Sequence, residues 1–295
     1  MKGVKFTKKP TTIDEQIEIL KSRGVIIDLP NATNLLLLIN YYRFCGYGLF
    51  FEKFDSEEKR LNVFKEDTTF SKIYSLYCWD EKLRNILQRY LGKIEIAFRA
   101  VLNYVLVSET KNPFWYLDPA LMIRSYREDV VKNESLEALN RAVENRELSA
   151  LHFKETYNEQ EFPPCWILCE FFSFGKWSRL FGQLKHKAYV KSVARHFKAP
   201  PNDFVSWLRA LVILRNRCAH HARLWDYEFK IKPSLTPSQK RAGLDNGRVG
   251  YLICILKELL AFDEDVQKNF SQELNELLNI CPCPYPKALG LNQPI

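Results

Sequence analysis

The sequence has no apolar run approaching the ~20 residues that a membrane-spanning helix needs. Its longest runs, such as Leu35 to Ile39, are the size of core segments. The start, from Met1 to Asp14, carries lysines but no apolar stretch of the kind that marks a secretory leader. Both absences predict a cytoplasmic protein with no membrane part. Eight cysteines are present, but they lack the company that a metal site or a disulfide framework requires. Cys45, Cys78, Cys218 and Cys254 are scattered singly. Cys165 and Cys169 lie four apart on a predicted helix, and Cys281-Pro282-Cys283 is a close pair without a second pair or a nearby histidine. They read as reduced core thiols, with no metal and no cofactor expected. Glycine is sparse at 11, and there is no internal repeat or low-complexity tract.

What is present is an ordinary globular balance, 46% hydrophobic and 26% charged over 295 residues, which excludes the disordered and fibrous classes. The 43 basic and 35 acidic side chains leave a formal charge of +8. An excess of that sign favours an anionic partner through long-range attraction and counterion release; it also serves plain solubility.

Helical signals dominate. Thr12-Ile13-Asp14-Glu15 is a capping box opening a first helix that stops at Gly24. A second helix is expected from about Asn34 to Phe44, ending at Gly46-Tyr47-Gly48. From Leu49 to Thr69 aromatics alternate with charges, which fits a loop or a short hairpin. The strongest periodicity runs from Asp80 to about Val107, where Leu83, Leu87, Tyr90, Ile94, Ala97, Val101 and Val105 recur at helical steps and Glu95 and Arg99 fall on the opposite, polar side. Further helices are predicted from Leu121 to Arg146, from Pro163-Pro164 to near Leu184, from Pro200-Pro201 onward, from Val249 to Ala261 and from Glu264 to Asn279. The polar stretch from His221 to Gly250 reads as a long functional or partner-binding loop, and the tail 281–286 as extended. The class is all-α.

The helix after Pro201 is apolar on nearly all sides, yet Arg215 lands on the same stripe as Leu208 and Leu211. A guanidinium there needs a reason. One is a structural ion pair with Glu170 or Glu95, since a buried charge must be partnered. The other is a helix ending in a cleft where Arg215 meets an anion. Asn216 and His220, four apart, place an amide and an imidazole side by side, and His221 sits one turn above Arg217. Imidazole moves protons near neutral pH and arginine clamps phosphate oxygens, a combination suited to phosphodiester cleavage.

Arg215-Asn216-Arg217-Cys218-Ala219-His220 resembles the Arg-x4-His signature of HEPN ribonucleases. The longer string through His221-Ala222-Arg223-Leu224-Trp225 is similar to the Abi-like (AbiD/AbiF) abortive-infection family of bacteria. Lys9-Pro10-Thr11-Thr12 with Gln16 and Leu20, Ile39-Asn40-Tyr41-Tyr42-Arg43 with Gly46-Tyr47, and Thr69-Phe70 with Tyr77, Asp80 and Leu83-Arg84 resemble further blocks of it. So do Ile94-Glu95 with Arg99, Trp166 with Glu170, and Ser173-Phe174-Gly175. The resemblance spans roughly Lys9 to Leu289, with Cys78-Trp79 standing where a single aromatic is expected.

That resemblance implies a HEPN-type helical bundle over 79–295, with insertions and an extended tail, preceded by an N-terminal helical region over 1–78. It implies a metal-independent endoribonuclease of bacterial phage defence, toxin–antitoxin-like, acting on RNA as a homodimer, with a small non-coding RNA restraining some members. Arg215, Asn216 and His220 are the implied catalytic set, supported by His221 and Arg223. Arg217 and Trp225 are candidates for holding RNA, Trp225 as a stacking surface. Glu95 and Arg99 match a family Glu-x3-Arg, and their bland reading is a surface ion pair worth ~0.3 to 0.5 kcal/mol. A rival from another class is a non-catalytic RNA-binding protein that grips phosphate with the same motif.

Overall fold

A computed structural model describes residue 7 and residues 9–291. The capping box holds: the Thr12 hydroxyl accepts from the Glu15 amide and the Glu15 carboxylate accepts from the Thr12 amide, opening α1 (Ile13–Ser22). Where one helix was expected between 34 and 44 there are two, α2 (Ala32–Ile39) and α3 (Tyr41–Gly48). The break falls at Asn40, whose φ of 76° halts α2 while its side-chain oxygen accepts from the Tyr42 amide and caps α3. Asparagine is among the few residues that tolerate that backbone region, so the chain turns without glycine or proline.

Of the loop or short hairpin that the 49–69 stretch allowed, the hairpin is present, as β1 (Glu52–Phe54) paired antiparallel with β2 (Arg60–Phe64), with Glu52 opposite Phe64. Then comes α4 (Phe70–Thr110), ten residues longer at its start than its periodicity suggested, because the Thr69 hydroxyl caps it by accepting from Lys72. This helix passes without interruption through residues 78 and 79. Its buried stripe, from Phe70 through Leu83, Ile94 and Leu106, is the spine of the core.

The rest wraps that spine. A charged helix α5 (Glu128–Glu144) and α6 (Leu148–Thr156) form a satellite that packs on α7 (Cys165–Phe171). The single helix expected after Pro164 is broken at Phe172, and Ser173 caps α8 (Phe174–Phe181) by accepting from the Lys176 amide. An unanticipated α9 (Lys187–His196) follows, then α10 (Pro201–Ala219), which packs on α4, α8 and α9. Proline at the start of α10 costs nothing, since that amide would be unpaired anyway.

The stretch expected as a long open loop is largely tied down. A short α11 (Pro237–Arg241) interrupts it, and Trp207 Nε1 and the Tyr251 hydroxyl both donate to the Ser234 carbonyl, at 2.9 and 2.5 Å. Finally α12 (Val249–Leu259) and α13 (Glu264–Asn279) close the bundle, with Trp79 Nε1 donating to the Leu277 carbonyl at 2.8 Å. The tail folds back in a turn at Pro286–Gly290 that buries Ala288 and Leu289. Among the described residues, helices prevail and the hairpin is the one sheet. No described helix is long and apolar enough to cross a membrane.

Candidate active site

The end of α10 has a defined shape. His220 caps it, its amide donating to the Asn216 carbonyl at 3.0 Å. The His221 amide then donates to Cys218 and the Ala222 amide to Arg217, at 3.0 and 2.8 Å, the paired bonds that turn a chain sharply out of a helix. That turn needs a left-handed residue, normally glycine, and here it is His221 with φ 54°. The strained position persists because the surroundings fix it: Arg43 Nη1 of α3 donates to the His221 carbonyl at 2.6 Å, and Arg223 donates to the Gly46 carbonyl.

Beneath this turn lies a network of buried polar side chains. The Asp80 carboxylate on α4 is fully buried. It accepts from the Tyr47 hydroxyl at 2.7 Å, from the Leu224 and Trp225 amides at 3.2 and 2.9 Å, and from Arg84 one turn along. Arg84 also donates to the Tyr47 oxygen at 2.9 Å. Burial pushes the Asp80 carboxyl above its ordinary range, with the Arg84 guanidinium and the Tyr47 hydroxyl pulling the other way. Burial, with the neighbouring Asp80 charge, likewise raises the Tyr47 phenol. The segment after the motif is thus clamped by α3 on one side and α4 on the other.

On the other flank of α10, Arg215 Nε donates to Glu95 Oε2 at 3.2 Å, and Glu95 Oε1 accepts from Arg99. Glu95 is 6% exposed and sits between two helices. The pair expected on the open surface is therefore an inter-helix tie. The periodicity misplaced it because Ile96, Ala100 and Tyr104, not Glu95, face outward on α4. Arg99 Nη1 donates onward to the Cys169 carbonyl of α7 at 3.2 Å. Burial lowers the Arg99 guanidinium from its ordinary value, and the nearby Arg215 charge acts in the same direction. Arg215 keeps about a third of its side chain exposed, and its Nη1 reaches the Asn216 side-chain oxygen at 3.3 Å.

The structure thus brings Glu95, Arg99, Arg215 and Asn216 into one chain of contacts, with His220 exposed one turn beyond Asn216. Neither the His220 nor the His221 imidazole hydrogen-bonds a described residue. His221 and Arg223 shape the turn. Arg217 is partly buried, its guanidinium 3.4 Å over the Tyr227 ring. Trp225, expected as a stacking surface, is a core residue instead, its ring edge-on to Phe50 and Trp79. Its place in the sequence, between the motif and a polar stretch, gave no sign that Asp80 would pull its backbone inward. The clamp of Tyr47, Asp80 and Arg84 went unnoticed as machinery. The signal was there in the four-residue Asp80–Arg84 spacing on an otherwise apolar helix face. Among the described residues, no three His, Cys, Asp or Glu side chains are grouped to hold a metal ion.

Fold and site together define an all-α protein with an imidazole, an amide and a guanidinium gathered at one exposed helix end. A family model described as Abi-like protein matches residues 34–226, and the chain belongs to that family. Membership suggests a part in abortive infection, a form of phage defence. Comparison with curated proteins and with solved structures finds no match.

Proposed function

We propose that the chain is a metal-independent endoribonuclease of the HEPN type, working in a bacterial abortive-infection system. The observation that carries this reading is the exposed His220 beside Asn216 and Arg215, on a helix end whose geometry is fixed by α3 and α4 rather than by its own flexibility. In the reaction a ribose 2′-oxygen attacks the adjacent phosphorus, the bond to the 5′-oxygen breaks, and His220 moves the proton from the nucleophile or to the leaving group. Arg215, held at Nε by Glu95, turns its Nη edge to the charge that builds on the phosphoryl oxygens. Asn216 orients the imidazole or the phosphate, and Arg99 adds a second cation.

One chain supplies one such set. In-line displacement needs groups on both the attacking and the leaving side, so the active form is a homodimer with two sets around one phosphate. A small non-coding RNA is the expected restraint. The experiment is to incubate purified protein with mixed RNAs, with and without EDTA, and to analyse the ends. Cleavage that persists in EDTA, leaves 2′,3′-cyclic phosphate and 5′-hydroxyl ends and spares DNA supports the mechanism; strict dependence on Mg²⁺ sinks it.

A non-catalytic, RNA-gripping protein is the second reading. It is favoured by the same Arg215–Glu95 bond, which satisfies part of the guanidinium without substrate, and by the lack of a described partner orienting either imidazole. RNA binding without cleavage under all these conditions would select it.

A further inference from the structure

Aromatic surfaces beside a cationic site are where unpaired bases stack, and the chain has six tryptophans to offer. Five of them are core residues: Trp115, Trp177, Trp207 and Trp225 are fully buried and Trp79 is 3% exposed. Trp166 is the exception, at 53%. It lies in the first turn of α7, a helix otherwise anchored by buried Cys165 and Leu168 and by Phe172 just past its end.

The helix that carries it is tied to the proposed site. Cys169, one turn further on the same side of α7, is the residue whose carbonyl accepts from Arg99, and Arg99 shares Glu95 with Arg215. The Cys169 thiol in turn reaches the Trp166 carbonyl at 3.2 Å. An exposed indole therefore stands on the helix that Arg99 ties to the guanidinium pair. The Glu95 carboxylate is engaged by both arginines; Arg215, about a third exposed, keeps its Nη edge for an anion, while Arg99, more deeply set with both Nη groups bonded and its Nε buried, adds positive charge behind it. Glu170, exposed one turn beyond Trp166, repels a phosphate on its own side and so leaves the backbone to the arginine side.

We propose that Trp166 is the base-stacking platform of this protein, holding an unpaired RNA base next to a phosphate gripped by Arg215 in the positive field of Arg99. The proposal rests on the RNA-directed reading of the site, and it adds that the substrate is single-stranded at the cut, since a paired base offers no free face.

Because the other five indoles are buried, a change of tryptophan emission caused by a bound base reports on Trp166. The probe is a 2′-O-methyl RNA 12-mer, which lacks the attacking hydroxyl and can be titrated into the wild-type chain. Its affinity is followed by calorimetry in parallel. Expected are quenching by the single strand, little by its duplex, and loss of the quenching in Trp166→Phe with the affinity kept within about threefold. Trp166→Ala should weaken binding about 5- to 150-fold, the range for removing one stacked aromatic, while its melting temperature stays near that of the wild type. Tight binding with unchanged emission, or a Trp166→Ala variant that binds as the wild type does, overturns the proposal even if RNA is cut. Quenching without cleavage of unmodified RNA upholds the platform and defeats the nuclease reading. No binding at all defeats both.

Discussion

Replacing Asp80 by Asn should cost this protein a large part of its stability without touching a residue of the proposed RNA site. The substitution keeps the shape of the side chain but removes its charge, which leaves the Arg84 guanidinium, 3% exposed, without its counter-charge. It also presents an NH2 group to neighbours that are donors: the Tyr47 hydroxyl and the Leu224 and Trp225 amides. Breaking a buried ion pair from one side costs about 3 to 5 kcal/mol. Against a typical native stability of roughly 5 to 15 kcal/mol, that is about a fifth or more of the whole. At about 2 to 4 °C for each kcal/mol in a chain of this order of size, the melting temperature should fall by roughly 10 °C. Differential scanning calorimetry reads it directly. The double variant Asp80→Asn with Arg84→Met separates charge from packing. With the orphaned guanidinium gone it should recover the part of the loss that comes from the unpaired charge, while the mismatch of the introduced amide with its donor neighbours remains. An Asp80→Asn protein melting within about 2 °C of the wild type would show that the clamp does not hold the turn, and the account of the site's rigidity would fail.

The His221 turn gives a second test. Left-handed backbone costs an L-residue about 1 to 2 kcal/mol, and glycine gives back roughly half of that in unfolded-state entropy. His221→Gly should therefore melt at or slightly above the wild-type temperature; a clear destabilisation would mean the imidazole is itself a structural contact. Mixing Arg215→Ala chains with His220→Ala chains should restore part of the RNA cleavage that neither shows alone, since a shared site keeps one intact copy of each residue. Activity from a species that light scattering finds monomeric would end the shared-site idea. Burial pushes the Cys218 thiol up to about 12, so Cys218 should resist iodoacetamide at pH 8 in the native protein and be alkylated only on unfolding, as peptide mapping by mass spectrometry would show. The sign of the linkage follows: the native state keeps a proton that the unfolded chain releases near the ordinary value of 9.0. That contribution is full at neutral pH and is lost as pH rises from about 9 towards about 12, which titration of stability against pH would reveal.

The parts of the molecule legible from the residues alone were those written in local chemistry. The α1 capping box, the 49–69 hairpin and the proline-led α10 each follow from a few adjacent side chains. The Arg215-to-His220 string was legible for the same reason. What could not be read was set by distant partners. Asn40 breaks a helix with no glycine or proline to announce it. Glu95 looked solvated by the periodicity of its own helix, which reports one helix at a time; the alternative that it partners Arg215 is the one the structure bears out, its burial coming from α10 arriving from elsewhere. Trp225 goes inside because Asp80, 145 positions earlier, takes its amide.

The contacts that finish the helix end also set a timetable. Arg43 meets His221 across 178 positions and Gly46 meets Arg223 across 177. At roughly 5 to 20 residues per second of synthesis, about 10 to 35 s separate the appearance of the first partner from that of the second. Until the later segment leaves the ribosome the motif has nothing to brace it. A nascent chain therefore has no finished helix end for most of its own translation.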